Sequence, residues 1–214
     1  MVKCLITLPN HDKVTCYLFA WSREILEEVY PTDIEFLRIE AEDVTLEKVE
    51  SYLKKQNPRV VLFNGHGSYS LICGFKDQPI IASGKNEGLL KDKIVYSLSC
   101  SSAKKLGVDA VEKGAEAFIG YNQDFVMFTD SDREATPLKD RVAESFMQPS
   151  NRLSISLLKG KSASESSNKS KEYFKREIRK YLTGESIEGS EQIVRGLLWD
   201  MINQVVLGNP EAKI

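Results

Sequence analysis

"VVLFNGHGSYS" occupies residues 60–70. The β-branched and aromatic run from Val60 to Phe63 reads as a buried strand, and Asn64-Gly65-His66-Gly67 as the turn that ends it. The chain has two histidines, and His66 stands between two glycines at this strand's carboxyl end. A histidine there is either a turn residue or an imidazole placed to move a proton near neutral pH. The pattern on either side bears on the choice.

Before it, "KCLITL" (3–8) is strand-like and is followed by the loop "PNHDKVT". A helix with Trp21, Ile25, Leu26 and Val29 on one face comes next. "IEFLRIE" (34–40) is a second strand, and Thr45 caps a helix carrying Leu46, Val49 and Leu53, which Asn57-Pro58 ends. "RVVLF" (59–63) is the third strand. After it, "SLICGF" and "PIIAS", split by "KDQ", read as a small antiparallel hairpin. "KIVYSLS" (93–99) is a fourth strand, "AKKLGVDAVEKG" a helix stopped by Gly114, and "AFIGY" (117–121) a fifth strand. Strands alternating with helices imply right-handed crossovers and a mainly parallel sheet covered on both faces. Pro137 suits the first turn of a helix carrying Leu138, Val142 and Phe146. Leu153, Leu157 and Leu158 suggest a further one. "KGKSASESSNKSK" (159–171) is either a helix with a solvated first half or a mobile connection into "EYFKREIRKYL". Lys171 to Lys180 reads as a solvated face. Ile193, Leu197, Leu198 and Met201 mark a last helix, and "QVVLGNP" a final strand. The expectation is an α/β chain, one domain over residues 1–214, with a sheet of about six strands flanked by helices.

Apolar residues make up 42% and charged residues 28% of 214, an ordinary globular balance. The net charge of -2 lacks the basic excess of a nucleic-acid binder, so no nucleic-acid partner is expected. No apolar run approaches the ~20 residues a membrane helix needs, and "MVKCLITLPN" is too short an apolar stretch for a signal peptide. Cys4, Cys16, Cys73 and Cys100 form no CxxC pair, so zinc spacing is absent and a disulfide framework is not expected. A cytoplasmic protein with reduced thiols is the expectation.

In open parallel sheets, functional groups gather at the carboxyl ends of strands. The third strand ends in His66-Gly67 and the fourth in Ser99-Cys100-Ser101-Ser102, directly before a helix. If these strands are neighbours, His66 and Cys100 share one rim. A helix N-terminus behind Cys100 would favour its thiolate, with Ser101 and Ser102 as caps. Gly67 lets backbone approach closely, and its N–H with that of Cys100 could bind an oxyanion. A phosphatase loop needs Arg six residues after Cys, where Leu106 stands. An amidotransferase of the Cys-elbow type orders Cys before His; here His comes first.

"NGHG" and "SLSC", each ending a strand, resemble the His-Gly and Cys blocks of the cysteine-peptidase clan that includes caspases, gingipains, separase and legumain. The likeness is nearest to bacterial and archaeal caspase-like domains of the CHAT type, with a gingipain-like flavour. "ICGFKDQPII", "GVDAVEKGAEAFIGY", "VVLGNPEAKI" and the loop "NHDKVT" before Trp21 are similar to the corresponding segments of that group, so the likeness spans nearly the whole chain. It implies a caspase-like sheet, His66 as general base and acid, Cys100 as nucleophile, an acyl-enzyme, and no metal or organic cofactor. It departs at Leu98, where many metacaspase-type relatives carry Asp. It also implies a protein or peptide substrate and, for a reactive thiol in the cytoplasm, an activating or inhibiting protein partner. Residues 122–133, "NQDFVMFTDSDR", are either a lid or partner-docking loop or an ordered surface loop.

Taken singly, His66 would be a turn residue and Cys100 a small buried one; the paired context favours chemistry. Cys4, Cys16 and Cys73 read as core or near-surface residues, and His11 as a loop residue on the first strand's rim that could face the cleft. Asp12 and Asp124 are the acids expected on the active rim. They predict cleavage after Arg or Lys, with Asp12 favoured; its competing role is to cap the first helix. The alternative function is a catalytically silent module that uses the same rim to hold a peptide.

Overall fold

The computed structural model describes residues 1–29, 33–184 and 189–214. Its first half runs β1 (Val2–Leu8), α1 (Lys13–Val29), β2 (Ile34–Glu40), α2 (Leu46–Lys55) and β3 (Val60–Asn64). Three short strands follow, β4 (Gly67–Ser68), β5 (Leu71–Cys73) and β6 (Pro79–Ala82), then β7 (Ile94–Leu98), α3 (Leu106–Glu112) and β8 (Ala117–Tyr121). The chain closes with α4 (Arg141–Leu158), α5 (Ala163–Thr183), α6 (Ser190–Asn203) and β9 (Gln204–Gly208).

Six strands form one sheet in the order β2-β1-β3-β7-β8-β9. All pairs are parallel except β8–β9. β3, β7 and β8 are buried at every position, which is why they read as continuous apolar runs rather than alternating ones. Alternate residues feed two cores. Ile6, Leu62, Tyr96 and Ile119 pack with Leu18, Trp21 and Ile25 of α1 and Met147 and Leu153 of α4. Leu5, Val61, Val95 and Phe118 pack on the other face with Val49 and Leu53 of α2 and Leu106 and Ala110 of α3. Phe146, Phe174, Ile178, Ile193 and Leu197 join α4, α5 and α6 into an outer layer.

The small antiparallel unit has three strands, β4-β5-β6, not two. Its extra strand begins at Gly67, so the residue after His66 is already pinned by pairing with Ile72. The polar stretch 159–171 is helix: Ser162 and Glu165 make a reciprocal capping box at the start of α5. Ser166, Ser167 and Ser170 face inward, and Gln204 of β9 bonds both Ser167 and Ser170.

Four expectations are corrected. α3 starts at Leu106, and residues 100–105 are turns, so Cys100 does not abut a helix. Ser101 and Ser102 are not caps; Lys105 holds the cap position without a side-chain hydrogen bond. Pro137 opens a separate 3-10 turn, Pro137–Lys139, in which Leu138 is exposed. The helix beyond it is capped by Asp140 and runs unbroken through buried Pro149, so the two helices expected there are one. Among the described residues, no helix is long and apolar enough to cross a membrane.

Candidate active site

The register of the central strands sets the geometry. β3 and β7 pair in parallel from Val60↔Ile94 to Asn64↔Leu98. His66 and Cys100 each lie two residues past that last pair, on strands that neighbour each other at ~4.8 Å. Both line one cleft of about 160 Å³. Its remaining walls are mostly apolar: Val14 and Leu18 from α1, Leu98, and Phe125 and Met127 from the segment after β8.

The His66 turn is fixed from three sides. Asn64 Nδ2 donates to the Thr7 carbonyl of β1 (3.2 Å), and its N–H reaches Thr7 Oγ1 (3.4 Å). Gly65 has φ +142°, and a Cβ there would meet the Cys73 carbonyl oxygen and the Pro9 ring at 3.0 Å, so a side chain is excluded. Cys73 N–H donates to the His66 carbonyl (2.9 Å). A Cβ on Gly67 would come within 3.0 Å of the Ser99 side chain, so this glycine lets the two strand ends approach.

The Cys100 turn is fastened underneath. Ser97, Ser99 and Ser102 share a buried hydroxyl network, with Ser97–Ser99 at 2.6 Å and Ser102–Ser97 at 3.0 Å. Ser101 adopts φ +51°, a region costly for a residue with a Cβ. Its N–H donates to the Gln123 carbonyl (3.1 Å) and its Oγ to Asp124 Oδ1 (2.5 Å). The Cys100 N–H has no acceptor among the described residues. The Cys100 thiol is half-buried, with Sγ 4.0 Å from the Phe125 carbonyl oxygen. Burial pushes its pKa up, and the charge of Asp124 adds to this. The resting form is therefore the thiol, and the expected thiolate-favouring helix end is absent.

Asp12 stands beside His66. Its Oδ2 lies 2.7 Å from His66 Nε2. Its Oδ1 accepts from Thr15 N–H and Oγ1, both at 2.8 Å, while Thr15 Oγ1 accepts from the His11 and Asp12 N–H groups at 3.0 Å. One carboxylate thus caps α1 and holds an imidazole. Partial burial works to raise the Asp12 pKa, but the Thr15 and His66 bonds outweigh it and hold the carboxyl below its usual range. Asp124 is exposed and precedes Phe125 of the cleft wall without lining the cleft itself; its carbonyl accepts from Trp199 Nε1 (2.9 Å).

Asp200 of α6 had no signal in the sequence beyond lying on an amphipathic helix. It is fully buried, and its Oδ1 accepts from Val126 N–H (2.9 Å), while Oδ2 has no partner among the described residues. Burial raises its pKa to about 8, against the Val126 bond. Within residues 122–133, Phe125 lies against Tyr121 and Phe128, itself exposed, against Phe146, with ring centroids 5.0 and 5.7 Å apart, while residues 131–133 are exposed.

A six-stranded, mainly parallel sheet between helices, with a three-stranded antiparallel unit after its third strand, is the caspase-like fold. Over the whole chain it is similar to a solved structure, the complex of Porphyromonas gingivalis RgpB pro- and mature domains, with a TM-score of 0.61 and 10% identity. The chain spans 48% of that chain, about half its length. No protein-family model and no curated protein matches the sequence.

Proposed function

We propose that this chain is a cysteine endopeptidase in which Cys100 is the nucleophile, His66 the general base and acid, and Asp12 the residue that orients His66. The observation that carries the reading is the Asp12–His66 bond in a cleft that Cys100 shares. With Nε2–H donated to the Asp12 carboxylate, Nδ1 is left with its lone pair and can take a proton. Cys100 passes its S–H proton to Nδ1 as Sγ attacks the peptide carbonyl carbon. The negative oxygen that forms is met by the Cys100 and Gly67 N–H groups. The C–N bond then breaks, His66 returns the proton to the departing amine, and a thioester remains. A water deprotonated by His66 attacks the thioester and frees Cys100. Because the resting sulfur is a thiol, nucleophile and base act together on bound substrate.

Asp12 is engaged by His66 and Thr15, so it does not serve as the specificity acid. A preference for Arg or Lys before the cut bond rests instead on Asp124, exposed next to Phe125 of the cleft wall. Similarity to the complex of RgpB pro- and mature domains supports a protein partner or substrate. One observation favours the silent-module reading: the uncharged thiol has no hydrogen bond to His66. Turnover of a fluorogenic peptide panel separates the two. A peptidase loses cleavage in Cys100→Ala; a binding module cleaves nothing in either form and still retains peptide.

A further inference from the structure

The chain's only two histidines meet in space. His11 and His66 come from loops 55 residues apart, and their rings sit edge to face with centroids 6.2 Å apart. Asp12 and Asp77 join them, one from the loop after β1 and one from the turn between β5 and β6. His11 Nε2 lies 3.4 Å from Asp77 Oδ1 and 3.7 Å from Asp12 Oδ2, and His66 Nε2 lies 2.7 Å from that same Asp12 oxygen. All four donor atoms fall within 4.8 Å of one another.

We propose that His11, Asp12, His66 and Asp77 form a zinc site whose occupation switches off His66 as a base. Two neutral imidazoles and two carboxylates give a donor set of charge -2, which a divalent ion neutralises. Mixed nitrogen and oxygen donors suit zinc; calcium and magnesium take all-oxygen shells with more ligands. Tetrahedral zinc with bonds of about 2.0–2.1 Å sets its donors roughly 3.3 Å apart. The three short separations straddle that value, and the fourth donor, Asp77, is on an exposed side chain that can close. His11 is held edge-on against Phe75 with its side chain only 10% exposed, so the nitrogen side of the site is already placed. The nearby cations are committed elsewhere, Lys13 to Glu134 and Lys76 over the Phe75 ring.

The consequence follows from imidazole chemistry and rests on the peptidase reading above. A metal on Nε2 takes that lone pair, so the ring proton moves to Nδ1. Nδ1 is the nitrogen that should accept the Cys100 proton. Metal-bound His66 is therefore the wrong tautomer for a base, and Asp12 is drawn to the ion. No zinc pattern is legible in the sequence, because the ligands are not the clustered cysteines that spacing reveals.

The test titrates zinc chloride into the reduced full chain by calorimetry, in a non-chelating buffer, for wild type, His11→Ala, Asp77→Asn and Cys100→Ala. The expected result is one zinc per chain, bound at least tenfold more weakly by His11→Ala and Asp77→Asn and equally by Cys100→Ala. No stoichiometric binding, or binding lost in Cys100→Ala and kept in His11→Ala, would overturn the site. Peptide turnover adds the second arm. Zinc should suppress wild-type cleavage, with recovery on chelation. His11→Ala and Asp77→Asn should keep their metal-free rate and need at least tenfold more zinc. A tenfold loss of metal-free rate in either variant would make the pair a support for His66 and overturn the switch. If no peptide is cleaved by any form, the peptidase reading fails, and the calorimetry alone decides whether the zinc site exists.

Discussion

Replacing Asp12 should separate its two roles. In Asp12→Ala, α1 loses its cap, because Thr15 N–H no longer has the Asp12 Oδ1 acceptor at 2.8 Å. Such a loss costs about 1 kcal/mol of stability. His66 loses a charge-assisted bond at 2.7 Å. In a site this open, that bond contributes about 1.5–2 kcal/mol, or roughly 10–30-fold in kcat/KM. Asp12→Asn should behave in the opposite order. Its amide oxygen must face Thr15 N–H, since the –NH2 group cannot accept. That leaves the –NH2 group pointing at His66 Nε2, which must then accept rather than donate. The ring proton shifts to Nδ1, and the base faces Cys100 in the wrong tautomer. The expected loss is about 10²–10⁴-fold in kcat/KM, with a stability change of only a few tenths of a kcal/mol. The assay is steady-state peptide turnover alongside thermal melts of wild type and both variants. Asn cleaving as well as wild type, or clearly better than Ala, would refute the assignment of Nε2 to Asp12 and Nδ1 to Cys100.

His66→Ala should lower turnover by about 10²–10⁴-fold while melting within a few degrees of wild type; an unchanged rate would make His66 a turn residue. Alkylation of Cys100 by iodoacetamide should climb with pH to a midpoint above the ~8.5 of a free thiol, because burial and then Asp124 raise it. Asp124→Asn should move that midpoint down, and no movement would remove Asp124 from the thiol's surroundings. Asp200 gives a stability dependence with a defined sign. Its folded pKa of about 8 lies above an unfolded value near 3.9, so the folded form binds more protons between them. Stability from this group is full below about pH 4, falls as pH rises, and is gone above about pH 8. Asp200→Asn should flatten that fall, so its melting temperature should gain on wild type from pH 5 to pH 8; parallel curves would contradict a buried protonated carboxyl.

The parallel sheet was legible because β3, β7 and β8 are apolar at nearly every position, a pattern that only strands covered on both faces tolerate. The rim was legible for the same reason: His66 and Cys100 are the polar and reactive residues at which two such runs stop. What lies across the rim was not. Asp12 and His66 are 54 residues apart, and nothing local distinguishes an acid that caps a helix from one that also holds an imidazole. Thr15 carried half of that signal, since Asp-x-x-Thr is a capping pattern. Pro149 removes a helix bond, but α4 is buried between α1 and α5, and packing outweighs the lost bond, so the two helices read there are one. Likewise the turn from Cys100 to Lys105 ends in three good helix formers, Ala103, Lys104 and Lys105. It is kept out of the helix by tertiary bonds, Ser101 N–H to Gln123 and Ala103 N–H to Tyr121.

The measurement that bears most directly on the peptidase reading is covalent trapping. The reduced chain is incubated with a peptidyl-arginyl chloromethyl ketone, and the adduct is located by intact mass and peptide mapping, in wild type and in His66→Ala. One adduct per chain is expected, on Cys100, formed far more slowly in His66→Ala and blocked by competing peptide. Cys4 and Cys73, both buried, and Cys16 should remain free. An adduct on Cys16, or equal labelling of Cys100 with and without His66, would contradict it.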